Sequence, residues 1–207
     1  IPETISEDES TEENILMDES VSENSIDSFD PDVIEETLDE PIIEGEYLEN
    51  EGIANSGIGG DLVWELTGDS PNQTLVISGS GAMNNFSSSK PAPWKSSAAS
   101  IQSIVLSEGI THIGDYAFDG FTATTGNLVL PSTLKTIGNY AFRNNKFNGT
   151  LSLSDGLEKI GDYAFSGCYA LTGNLIIPDT VKSIGSYAFS GCSKLTGNLI
   201  IPDTVKS

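Results

Sequence analysis

IGDYAFSGCYALTGNLIIPDTVKS, residues 160–183, runs directly into IGSYAFSGCSKLTGNLIIPDTVKS, residues 184–207. Residues 171–183 and 195–207 are identical. The opening motif Ile-Gly-x-Tyr-Ala-Phe also stands at 113–118 and 137–142, so the successive spacings are 24, 23 and 24 residues. A fixed period in this range is the mark of a leucine-rich solenoid. Outward from the motif, the aliphatic positions keep their register. Nine residues before each isoleucine stand Ile104, Leu128, Leu151 and Leu175; seven before stand Leu106, Leu130, Leu153 and Ile177; three before stand Ile110, Leu134, Leu157 and Val181.

Side chains alternate along a strand, so each Leu-x-Leu places two aliphatics inward and the middle residue outward. A turn follows, Pro-Ser-Thr or Pro-Asp-Thr at Pro131, Pro178 and Pro202, where proline presets φ. Glycines 114, 138, 161 and 185 are expected to mark a tight bend, and Phe118, Phe142, Phe165 and Phe189 to stack as a spine. No coil buries its apolar face alone; stacking makes the core continuous. The sequence therefore predicts a β-rich leucine-rich-repeat solenoid over residues 101–207, about 4.5 coils of 23–24 residues.

Ile-Gly-x-Tyr-Ala-Phe-x-x-Cys after Leu-x-Ile-Pro resembles the BspA-like (Treponema-type) leucine-rich repeat. The stretch from Trp64-x-Leu66 through Leu75-x-Ile77-Ser78-Gly79 to Pro93-Trp94 resembles the segment that often precedes such repeats. The resemblance spans roughly residues 58–207. It implies a secreted or bacterial cell-surface protein, with adhesion to host or matrix proteins among the family's roles. It brings no catalytic residues.

The remaining chain divides by charge. The first 51 residues hold 20 acids and no Lys or Arg, and the first basic residue is Lys90. Residues 1–55 are expected to form a disordered acidic tail, since a one-signed segment without apolar periodicity cannot offset its ordering entropy. Residues 56–100 are expected to form a β-hairpin cap. Leu62-Val63-Trp64-Glu65-Leu66 and Thr74-Leu75-Val76-Ile77-Ser78 are its strands, and Trp94 is an anchoring side chain. The net charge of −22 speaks against nucleic acid as partner, and no apolar run is long enough for a membrane span. The chain begins with Ile1, as expected of a mature or trimmed chain. It stops at Ser207, just before another Ile-Gly motif is due. Either the natural chain continues or the uncapped coil self-associates end to end.

Chemistry finds little footing. His112 is the one histidine and is expected to face outward. Cys168 and Cys192 share one repeat position, filled earlier by Phe121 and Asn145, and are expected to be buried free thiols. No catalytic, cofactor or metal residues are assigned, and no enzyme is expected. Two outward ladders remain as candidate contact faces for a protein or glycan. The first is Val105, Val129, Ile176 and Ile200, interrupted by Ser152 and rimmed by Asn127, Asn174 and Asn198. The second is basic: Lys135, Lys182 and Lys206, with Lys159 one position on. A spacer or display scaffold within a longer surface protein is the alternative.

Overall fold

The computed structural model describes residues 58–206. They fall within the second of two units, Ile1–Gly45 and Glu46–Ser207. The acidic tail expected over residues 1–55 lies outside the described residues. The described part is strand-dominated and helix-poor, with one 3-10 turn at Lys95–Ser97.

A hairpin opens it. β1 (Val63–Thr67) and β2 (Gln73–Ser78) pair antiparallel, and β2 then pairs parallel with β4 (Ile101–Leu106). The hairpin thus continues the first coil's sheet. A second, all-parallel sheet runs along the solenoid in the order β11 (Ser183–Ile184), β9 (Lys159–Ile160), β7 (Thr136–Ile137), β5 (Ile110–Ile113), β3 (Gly81–Ala82). Two short pairs complete the coils: β6 (Leu128–Val129) with β8 (Leu151–Ser152), and β10 (Gly173–Asn174) with β12 (Leu195–Thr196).

The last pair departs from the expected Leu-x-Leu strand. In the two final coils the paired residues sit ahead of it, and 175–177 and 199–201 carry no strand pairing. The bridge from Thr150 to Thr172 shows the register slipping just after the one-residue deletion between Phe142 and Leu151.

The core follows the repeat positions. Leu128, Leu151 and Leu175 are buried, as are Leu134, Leu157 and Val181. The phenylalanine spine forms, with ring centroids 5.0 Å apart from Phe118 to Phe142 and 5.3 Å for each of the next two steps. Trp94 is its first rung. It is fully buried, stacks on Phe118 at 5.8 Å, and donates its indole N–H to the Ala117 carbonyl at 2.8 Å. At the other end Leu199 and Ile201, inward positions elsewhere, are 58% and 48% exposed.

The motif glycines act through space. They do not adopt positive φ. A Cβ on Gly138, Gly161 or Gly185 would lie 2.4 to 2.6 Å from backbone of the preceding coil. The bend falls two residues later: Tyr116, Tyr140, Tyr163 and Tyr187 take φ of 54–58°. That left-handed conformation is costly for a residue with a Cβ. Their rings stack in turn at 4.7, 5.0 and 4.9 Å, which offsets part of the strain. The x of Ile-Gly-x is a hydrogen-bonding position. Asp115, Asn139 and Asp162 each accept, through Oδ1, the backbone N–H one coil on, at 2.6, 2.8 and 2.7 Å.

Asn145, Cys168 and Cys192 form another ladder. Asn145 donates to the Phe118 carbonyl at 2.8 Å, and the two thiols to Phe142 and Phe165 at 3.0 and 3.1 Å. Both cysteines are free; Cys168 is buried and Cys192 half-buried. Burial pushes the thiols up to about 12 and about 11. Each donates to its own carbonyl, so in these three coils the position is held by a donor, whereas Phe121 fills it in the first coil. Cys168→Asn should therefore hold stability within about 1 kcal/mol, whereas Cys168→Ala leaves a buried carbonyl bare and costs about 1–3 kcal/mol. Denaturant midpoints compare the two. Equal losses would show that volume, not the hydrogen bond, governs the site.

His112 stands on the expected outward row with Thr136, Lys159 and Ser183, but is half-buried there. Its Nε2 faces Asn85 Oδ1 at 3.0 Å and its Nδ1 faces the Thr136 hydroxyl at 2.6 Å. Asn85 Oδ1 only accepts, so Nε2 carries the proton and Thr136 donates to Nδ1. Desolvation lowers the imidazole pKa below 6.5, opposed by nearby Asp115. The unfolded chain therefore takes up the proton first, and stability should fall as pH drops from 6.5 through the folded value. His112→Gln should remove that part of the slope in denaturant midpoints against pH. An NMR titration of His112 at or above 6.5 would contradict the assignment.

Candidate interaction face

Alternation along the strands decides which side chains face solvent. Leu128 and Leu130 are buried while Val129 between them is 65% exposed. Leu175 and Ile177 are buried while Ile176 is 69% exposed. Val105 and Ile200 are also exposed, at 44% and 73%, and Ser152 is the polar rung among them. Ile176 and Ile200 line one shallow depression of about 240 Å³.

The row is longer than the repeat motif indicates. Val76 of β2 pairs with Val105, and Glu65 of β1 pairs with Val76. Val76 adds a half-buried apolar rung, and Glu65 ends the row with a charge on the outermost strand, a common way to blunt a sheet edge. The signal was present in Leu75-Val76-Ile77, the same inward-outward-inward triplet as in the coils. It was missed because this stretch carries no Ile-Gly motif.

Polar rows flank the apolar one. On the N-terminal side stand Asn127, Thr150, Asn174 and Asn198. Asn127 Oδ1 accepts from the Thr150 backbone N–H and hydroxyl at 2.8 and 3.2 Å, so this part of the rim is internally bonded. Asn174 and Asn198 are exposed and border the depression. On the C-terminal side stand Ser132, Asp155, Asp179 and Asp203. Ser132 is held by the Glu108 carboxylate at 2.8 Å, and these bonds hold that carboxyl below its ordinary range. The three aspartates are exposed, and their carboxylates accept no hydrogen bond among the described residues.

The basic ladder is not continuous. Backbone bonds of 2.8, 2.8 and 2.9 Å place Lys135, Glu158, Lys182 and Lys206 on one row. Glu158 interrupts the lysines and pairs with Lys182 at 2.5 Å. Lys159 lies on the adjacent row, in register with Thr136 and Ser183. Glu158 stands two residues before Ile160, as Lys135 and Lys182 stand before Ile137 and Ile184, so the motif spacing itself places a glutamate on this row.

Other charged and aromatic groups serve the ridge. Arg143 holds Asp119 at 2.8 Å through Nε and lies 4.7 Å over the Tyr140 ring. Among the described residues no group of three or more His, Cys, Asp or Glu is arranged to hold a metal ion. No helix among them is long and apolar enough to cross a membrane.

Known proteins place this architecture. The family profile described as "BspA type Leucine rich repeat region" matches residues 95–207 in six copies. A leucine-rich repeat protein from Eubacterium ventriosum is similar in structure, with a TM-score of 0.59 and 28% identity over 72% of this chain and 38% of that one. One from Bacteroides ovatus aligns at a TM-score of 0.41 and 25% identity over 72% and 36%. The chain thus spans less than two fifths of either relative's length. No curated protein matches. With the repeat register, the parallel ladders and the family profile in agreement over more than half its length, the chain belongs to the BspA-type leucine-rich repeat family.

Proposed function

We propose that the repeat region is a non-enzymatic interaction module of a secreted or cell-surface bacterial protein. Its contact face is the outward row Val105, Val129, Ile176 and Ile200, with Asn127, Asn174 and Asn198 on its rim. One observation carries this reading: Val129 and Ile176 stand 65% and 69% exposed between buried neighbours, and Val105 and Ile200 extend their row at 44% and 73%. An exposed apolar row with polar borders, broken here at Ser152, is the composition of an interaction surface. The face is open and shallow, which suits a macromolecular surface or a polymer better than an enclosed small molecule. Family membership and the bacterial origin of the Eubacterium ventriosum relative support the cellular setting.

The second reading is a spacer or display scaffold in a longer surface protein. Rows that satisfy themselves coil to coil favour it, as with Glu108 and Ser132 or Glu158 and Lys182.

The Val129→Glu, Ile176→Glu double variant separates the two. Both side chains lie outside the core, so Tm should be nearly unchanged. Attachment of the purified protein to matrix proteins or to cells should be lost. If attachment survives and charge reversal at Lys135, Lys182 and Lys206 abolishes it, the lysine row is the face. A protein that attaches to nothing in either form supports the spacer.

A further inference from the structure

The contact face has the cross-section of a trough. Its floor is the row of Val and Ile, one wall carries amides and the other carboxylates. In the two final coils these groups meet around one depression of about 240 Å³, lined by Asn174, Ile176, Asp179, Asn198, Ile200 and Pro202 among others. Beside it, Asp155, Ile176, Pro178 and Asp179 line a second recess of about 370 Å³. The order Asn, Ile, Asp stands in both final coils, at 174, 176 and 179 and at 198, 200 and 203, and the coil before them keeps a polar version in Thr150, Ser152 and Asp155, so the trough repeats its chemistry along the solenoid axis over these coils. The ring stacks measure the step: 4.7–5.0 Å for the tyrosines and 5.0–5.3 Å for the phenylalanines.

A ligand lying along this axis must repeat at about that step to meet equivalent groups in successive coils. An extended peptide does not. It advances about 3.3 Å per residue and about twice that between side chains on one face, so it drifts out of register within a few coils. A β-1,4-linked pyranose chain advances by close to one strand spacing per sugar, because each ring spans its O1–O4 diagonal. Such a chain is a flat ribbon. Both faces of each ring present axial C–H groups, so the half-turn between neighbouring sugars leaves an apolar face on the floor each time. Its edges are equatorial hydroxyls, donors to carboxylates and partners for amides in either role.

Charge narrows the class further. The carboxylates of Asp155, Asp179 and Asp203 are exposed and accept no hydrogen bond among the described residues. They offer charge-assisted hydrogen bonds to neutral hydroxyls and repel an anionic polymer. Resting on the interaction-module reading, we propose that this trough binds a neutral, linear β-1,4-linked polysaccharide along the solenoid axis, about one sugar per coil.

The test uses the intact chain. Retention is measured on insoluble cellulose and chitin, with starch as the α-linked control and polygalacturonate as the anionic one. Titration calorimetry then follows soluble cello- and chito-oligosaccharides of increasing length. Retention on at least one β-1,4 polymer is expected, with affinity rising as each sugar is added and little binding to either control. Ile176→Glu, and the pair Asp179→Ala with Asn198→Ala, should each weaken binding about tenfold or more, about 1.4 kcal/mol, with Tm unchanged. Failure to bind either β-1,4 polymer, equal retention on starch or polygalacturonate, affinity independent of length, or variants that bind normally would each overturn the proposal. If neither polymer binds while the Val129→Glu, Ile176→Glu protein still loses attachment to matrix proteins or cells, the polysaccharide is wrong and the interaction face stands.

Discussion

The coil-to-coil distance is the constraint on which the molecule depends. Hydrogen bonds such as Gly138 N–H to Ile113 carbonyl at 2.8 Å and Gly161 N–H to Ile137 carbonyl at 2.9 Å set it. At that distance no Cβ fits at the motif glycine. The same distance brings aromatic rings to stacking range, so each coil adds one phenylalanine to the inner stack and one tyrosine to the ridge. It also lets short side chains such as Asp115, Asn139 and Asp162 reach the next backbone N–H. The motif Ile-Gly-x-Tyr-Ala-Phe reads as one requirement after another of a single spacing.

The parts of the fold that depend on periodicity were legible. Buried aliphatics, the phenylalanine spine and the exposed middle residue of each Leu-x-Leu follow from alternation and from a fixed repeat length. Trp94 was legible as an anchor, though its place as first rung of the spine needs the parallel pairing that brings the hairpin segment against the first coil. Effects that belong to neighbouring coils together were not legible. The glycines were read as conformational, yet their demand comes from a backbone 24 residues earlier in sequence, as at Gly138 against Gly114. The left-handed tyrosines carry no local marker, since tyrosine is an unusual choice there. The pairing of Gly173–Asn174 with Leu195–Thr196 was not legible either, since it joins residues ahead of the Leu-x-Leu positions that the period marks.

The candidate face shows the same division. Its apolar rungs could be named from sequence. Its true extent could not, because Val76 and Glu65 join it through strands outside the repeat. The aspartate wall escaped notice because Pro-Asp-Thr reads as a turn, and the threonine indeed serves the fold: Thr180 and Thr204 donate to carbonyls of the preceding coil at 2.7 and 2.8 Å. The aspartate beside them makes no such contact, which sets it apart from the turn's structural work.

The identity of residues 171–183 with 195–207 has a consequence for how such a molecule changes in size. The two final coils carry the same residues over this stretch, so an inserted copy of the unit brings surfaces that its neighbours already present. Copy number then becomes a variable that inheritance can adjust without redesigning any contact. Reach along the axis would scale with it, as would the number of equivalent positions offered to a partner. The length of a solenoid in such a lineage can be tuned by counting units rather than by altering any one of them.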